Sequence, residues 1–307
     1  MPGFNRNFLR RHQVALAFLF LLAGGIFLYG RHVTTSPRGF FIDESSIAYN
    51  AYLISQTGRD EHGQAWPLYF RAFGEYKNPV YIYLLAAIFR LTGPSILAAR
   101  LLSVTAGLMT AIVLGVLSFR ITRRRSVALF VMFSALLTPW LFELSRVVLE
   151  VSIYPLALSL FLLCAQRVTI RSKWSWREIV PLALTLALLT YTYSIGRLLA
   201  PLLGFGLLLF VRRSGWKSVL SAWALYAVML TPLAVFKLRN PGALTARFSM
   251  ITYFKRENSL AQSVLDFLRH YAANINPWRL LVKGDPNSFQ MAHVEGTELM
   301  LLATVVL

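Results

Sequence analysis

The run from residue 97 to 119, interrupted only by Arg100 near its start, most limits what this chain can fold into. About 20 apolar residues match the hydrocarbon thickness of a bilayer. A segment placed there must satisfy its own backbone, which it does as a helix. Comparable runs cover 13–30, 127–141, 148–166, 179–193, 197–211 and 218–236, and another opens at 299 just before the end at Leu307. The chain is 56% hydrophobic and 14% charged, against about 25% charged for an ordinary soluble domain. These runs predict an all-α polytopic membrane protein whose residues 1–307 form one transmembrane domain. Ending as a span begins, the sequence reads as a piece of a longer chain.

The run at 80–92 is different. It follows Pro79, carries Arg90 and stops at Gly93-Pro94, leaving an apolar core from Val80 to Phe89. A segment that short is more often interfacial than spanning. If it crossed, the cluster Arg120, Arg123, Arg124 and Arg125 would lie outside, against the positive-inside rule. As an interfacial helix over 79–92, it leaves every basic cluster on the cytoplasmic side. These are Arg6, Arg10 and Arg11; Arg120 to Arg125; Arg167, Arg171, Lys173 and Arg177; and Arg212, Arg213 and Lys217. Every acid except Glu178 then falls outside or at an outer helix end. Two long outer segments result, 31–96 and 237–298. Loops of this size with little regular structure of their own are usually functional.

The net charge of +18 fits this topology, with cations held against anionic lipid. No basic stripe on a soluble domain points to nucleic acid, so no nucleic-acid partner is expected. The single cysteine, Cys164, excludes an intrachain disulfide and a cysteine metal cluster. The basic N-terminus leads into an apolar run with no small-residue cleavage site, the pattern of an uncleaved signal-anchor.

The chemistry gathers on the outer face. Asp43 and Glu44 follow the first span between Phe40, Phe41 and Tyr49. Amphipathic aromatics hold a segment at the interface. A partly shielded carboxylate there works better as base, acid or metal ligand than one in water. The bland alternative is a solvated acidic pair. The stretch "GEYKNP" places Glu75 and Lys77 where the interfacial helix emerges; its alternative is a surface ion pair worth under about 1 kcal/mol. In "FELSRVVLE", Arg146 and Glu150 share a helix face if helix continues through them. "YTYSIGR" adds Tyr191, Tyr193 and Arg197, and arginine suits bidentate phosphate recognition. The aromatic belt is the simpler account of the tyrosines. His293 and nearby carboxylates could join around a divalent ion, although no spacing in that loop enforces it.

In order, these features resemble the C-type glycosyltransferases, in the branch of the dolichyl-phosphate-mannose protein mannosyltransferases and the lipid A aminoarabinose transferases. The features are Asp-Glu in the first outer loop, "EYKNP" opening a juxtamembrane helix, "GPSILAARLLSVTAGLMTAIVL" with Arg100 at a span's outer end, and "SRVVLE" after the third span. The likeness covers most of 10–200 and weakens afterwards. It implies an integral protein of a bacterial inner membrane with a cytoplasmic N-terminus and an extracytoplasmic active site. It implies a polyprenyl-phosphate-linked sugar as donor, and inverting transfer to an acceptor hydroxyl on protein, lipid or glycan. Asp43, beside Glu44, takes the place of the signature catalytic carboxylate. Lys77, Arg146 and Arg197 would meet the donor phosphate. Glu150, Tyr191, Tyr193 and Arg100 would support them, and Glu75 with His293 would hold a divalent metal ion. The sequence departs from the family where Tyr76 and Asn78 interrupt its Glu-Lys-Pro element, and where Glu150 stands in place of an aspartate. A transporter or lipid-linked-sugar flippase is the competing reading; it calls for ionisable residues deep within spans. A non-catalytic scaffold is a third.

Overall fold

A computed structural model describes residues 6–169, 171, 174–210, 215–252 and 259–276. The described chain is mostly helical. Three of its helices are long and apolar enough to cross a membrane: His12–Gly30 within α1 (Arg6–Gly30), α4 (Ile96–Thr122), and Glu150–Thr169. The last joins a 3₁₀ turn (Glu150–Ile153) to a helix beginning at Tyr154. The expected opening of a span at 299 lies outside the described residues.

Between α1 and α4 sits a folded unit rather than an irregular loop. Helix α2 (Ile42–Thr57) starts with Asp43 and Glu44 in its first turn, where carboxylates suit the helix dipole. Glu44 Oε2 accepts from the Phe41 amide at 2.9 Å, satisfying a backbone donor at the helix start, and Gly58 ends the helix at φ 69°. A short hairpin follows, β1 (Phe70–Ala72) antiparallel to β2 (Glu75–Lys77). Then comes α3 (Pro79–Thr92), with proline in its first turn and Gly93 at its end, as the sequence predicts. Helices α2 and α3 pack together and onto α4 through Ile47, Ile82 and Leu85, with Phe70 of β1 in the same core.

The Ser95 hydroxyl caps α4, accepting from the Ala98 amide at 3.1 Å. Against α4 lie α5 (Arg125–Leu137) and α6 (Pro139–Leu144), separated at Thr138-Pro139 because proline cannot continue the α5 ladder. With α1 they form a core around Tyr29, Val104 and Leu136. A second layer is built of α7 (Tyr154–Thr169), α8 (Trp176–Thr192), α9 (Gly196–Gly206) and α10 (Trp216–Met229), joined around Leu182, Leu186 and Leu189. Helix α11 (Thr231–Arg239) leaves α10 at 41°, and the two together are apolar enough for a fourth span. Helices α12 (Ala246–Ile251) and α13 (Leu260–Asn274) follow.

The runs expected to span at 127–141, 179–193 and 197–211 appear as helices of 13, 17 and 11 residues. Each is shorter than the roughly 20 residues that cross a bilayer without tilt or thinning. Pro139 cuts the first, and a 3₁₀ turn (Leu207–Phe210) tightens the end of the third.

Candidate active site

Strand geometry explains why Tyr76 separates Glu75 from Lys77. Alternate residues of a strand share a face, so the interposed Tyr76 sets both charged groups on the same, buried side of β2. Hairpin and helix α2 then meet. The Lys77 ammonium donates to Asp43 Oδ1 at 2.8 Å and to Glu75 Oε1 at 2.7 Å. The Lys77 side chain is 7% exposed and that of Asp43 20%. Burial alone would draw the Lys77 ammonium down. The bonds from Asp43 and Glu75 outweigh it and hold the group above its ordinary value.

Arg247 of α12 joins this cluster. Its Nη1 donates to both Glu75 oxygens, at 2.9 and 3.0 Å. Sequence reading missed it: one arginine in a long, acid-poor segment has no spacing that ties it to residues far upstream.

A second group begins one residue along. The Asn78 amide and side-chain nitrogen both donate to Glu150, the latter at 3.1 Å, and Arg197 Nη2 donates to Asn78 Oδ1 at 3.2 Å. Glu150 and Arg197 are thus brought to the Lys77 cluster through Asn78, which the sequence presents only as a spacer. Arg197 also bonds the Leu244 carbonyl at 2.8 Å and lies over the Tyr69 ring at 5.2 Å. The Tyr69 hydroxyl is buried, and burial, outweighing the opposing effect of Arg197, pushes its ionisation well above the usual tyrosine value. Tyr191 donates to the Met229 carbonyl at 2.9 Å, tying α8 to α10, and Tyr193 meets Tyr154 edge to face.

Three expected residues stand elsewhere. Glu44 turns away from Asp43 into a fully buried pair with Arg100: Nε and Nη2 reach its two oxygens at 3.1 and 3.0 Å. Glu44 also accepts from the Val148 amide at 3.0 Å. Arg100 uses its remaining donors on the carbonyls of Val33, Pro37 and Gly39. Together they fasten the 33–44 segment to α4. Arg146 holds the Tyr29 and Ser36 carbonyls at 3.0 and 2.8 Å. The helix does not continue from Arg146 to Glu150, so the two share no face: α6 ends at Leu144 and the chain turns before the 3₁₀ segment. Burial and the nearby Arg100 charge both lower the Arg146 guanidinium from its usual value.

His293 lies outside the described residues. Glu75, its expected partner at a metal, is already bonded by two cations on both oxygens. Among the described residues no group of three or more histidine, cysteine, aspartate or glutamate side chains could hold an ion. Among the described residues Glu75 is thus engaged by cations, and the expected pairing with His293 lies outside them.

In sum the site offers a carboxylate held by a shared ammonium, two further guanidinium groups close by, and a buried carboxylate fixing the strand–helix junction. Such an array can bind an anion and accept a proton beside it. No protein-family model, curated protein or solved structure matches this chain.

Proposed function

We propose that the chain is a membrane glycosyltransferase that moves a sugar from a polyprenyl-phosphate donor to an acceptor hydroxyl at the extracytoplasmic face. The observation that carries this reading is the meeting of Asp43, Glu75 and Lys77, with Arg247 and Arg197 alongside, next to helices apolar enough to cross a bilayer. A prenyl tail must stay in lipid while its phosphate sits at headgroup depth. A site serving it needs cations and a base at the end of a helix bundle.

In this scheme the donor phosphate competes with Asp43 and Glu75 for the Lys77 ammonium, and Arg197 and Arg247 complete its neutralisation. Asp43, released from Lys77, accepts the proton of the attacking hydroxyl. A bond forms from that oxygen to the anomeric carbon. The bond from the anomeric carbon to the phosphate oxygen breaks, and its electron pair leaves with the phosphate. Attack opposite the leaving group inverts the anomeric centre. Charge stabilisation of the leaving group is usually the largest contribution to such a step, and general-base help adds about 10²–10⁴.

The topology belongs to the same proposal. All seven runs beyond the interfacial helix cross the membrane, the shorter ones by tilting or local thinning, with the N-terminus inside. Mass spectrometry of polyprenyl-phosphate sugars and glycoconjugates, from membranes with and without the intact gene, tests it. Loss of the gene should raise the lipid-linked sugar and remove one glycoconjugate. Unchanged profiles would contradict the assignment. Loss of a flippase would instead strand the lipid-linked sugar on the cytoplasmic leaflet, which leaflet-selective labelling distinguishes.

A further inference from the structure

Next to the charged cluster lies a cavity of about 740 Å³ that the chemistry above does not use. It is lined by Ser46 and Tyr49 of α2, by Glu61 and His62, and by Arg71 and Phe73 of the hairpin. Phe73 links the two places: it lines the cavity, and its ring lies 5.9 Å from the Lys77 ammonium.

Three observations mark this cavity as built for a ligand. Ser46 is 9% exposed, yet its hydroxyl has no hydrogen-bond partner. A buried hydroxyl left unpaired calls for an explanation; a turn of the Ser46 side chain toward the cavity would let a ligand there supply one. Second, Glu61 is held in place by Asn50, which donates to Oε1 at 2.9 Å and accepts from the Glu61 amide at 3.1 Å. Its Oε2 and the exposed Arg71 guanidinium make no contact with each other or with another described charge. Third, Phe73 and Gly74 form the two-residue hairpin loop with φ of 52° and 79°. Such a loop wants Asn-Gly; a bulky aromatic at positive φ is strained, and strain of that kind gathers at functional positions. The Phe73 ring at this position is 59% exposed and lines the cavity.

Exposed aromatic faces with a carboxylate, a guanidinium and a hydroxyl suit one ligand chemistry. A pyranose has an apolar C–H face and a rim of hydroxyls that both donate and accept. Its vicinal hydroxyls can be bridged by a carboxylate or a guanidinium fork. We propose that this cavity is the acceptor subsite and holds one sugar ring of a glycan, with Phe73 as its platform. The inference rests on the transferase reading: the seated ring presents its hydroxyl toward Asp43 past Phe73.

The test uses the full chain in lipid nanodiscs and methyl glycosides of glucose, mannose, galactose and N-acetylglucosamine, read by saturation-transfer NMR. At least one glycoside should receive saturation from the unaltered protein. Phe73→Gly and Arg71→Ala should each weaken it about tenfold, and the thermal midpoint of Phe73→Gly should stay level or rise because glycine relieves the loop. Absence of saturation with every glycoside, or equal binding by Phe73→Gly, overturns the subsite. Sugar transfer from the lipid donor without glycoside binding sinks the subsite alone. Glycoside binding without any transfer sinks the transferase reading and with it the acceptor role, leaving the cavity a sugar-binding site only.

Discussion

Adjacent carboxylates have unlike fates. Asp43 remains partly exposed on Lys77, whereas Glu44 is 2% exposed and locked to Arg100. Breaking a buried pair by removing one partner costs about 3–5 kcal/mol, because it strands the other charge. Arg100→Met should therefore lower the thermal midpoint severely, while Asp43→Asn should hardly move it; both are read by detergent-solubilised melting. A second expectation concerns pH. The folded value of Lys77 lies above its ordinary 10.5, so its stabilisation is complete below that pH and fades only as pH climbs through the raised value. The melting difference between the native chain and Lys77→Met should be constant from neutral pH to about 10 and shrink beyond it. From residue type and position alone, apart from the family resemblance that singles out Asp43, the two acids look alike. What separates them is the helix turn that points one toward the hairpin and the other toward α4, and single-chain reading gave no sign of that turn.

Among the elements, α3 was legible because Pro79 and Gly93 bracket an apolar stretch. Helix α2 was not, since its apolar and polar residues show no clear stripe and its support comes from α3 and α4. Arg146 and Glu150 would share a face only in a continuous helix, and the turn after α6 that separates them leaves no mark in the periodicity. Tight joints between elements give their own test. A Cβ at Gly196 would lie 1.9 Å from the Leu189 carbonyl oxygen, and backbone there cannot swing aside. At Gly206, near the end of the same helix, nothing lies within 4 Å. Gly196→Ala should destabilise by at least about 1–3 kcal/mol. Gly206→Ala should be neutral or gain up to about 1 kcal/mol. Parallel thermal melts of the two variants decide it.

Across the molecule, charge is sorted by helix end. Arg120, Arg123, Arg124 and Arg125 gather where α4 meets α5, whereas Asp43, Glu75 and Glu150 meet at the opposite end of α4. The apolar runs made this sorting readable from sequence, because the positive-inside rule acts on whole spans. The convergence of 43, 77, 150, 197 and 247 was only partly readable, since contacts over such separations leave no local pattern. The proposed topology predicts that a cysteine at Ser55 reacts with an impermeant label from outside and one at Ser126 only after the membrane is opened. Reversed labelling would contradict it.

The central claim is that Asp43, held on Lys77, serves sugar transfer from a lipid phosphate. The most direct measurement reconstitutes the intact protein with a polyprenyl-phosphate sugar and an acceptor-bearing membrane extract, then compares turnover by the native chain and by Asp43→Asn of equal melting temperature. The account predicts a loss of about 10²–10⁴ in rate. Native turnover by the folded Asp43→Asn protein would contradict it.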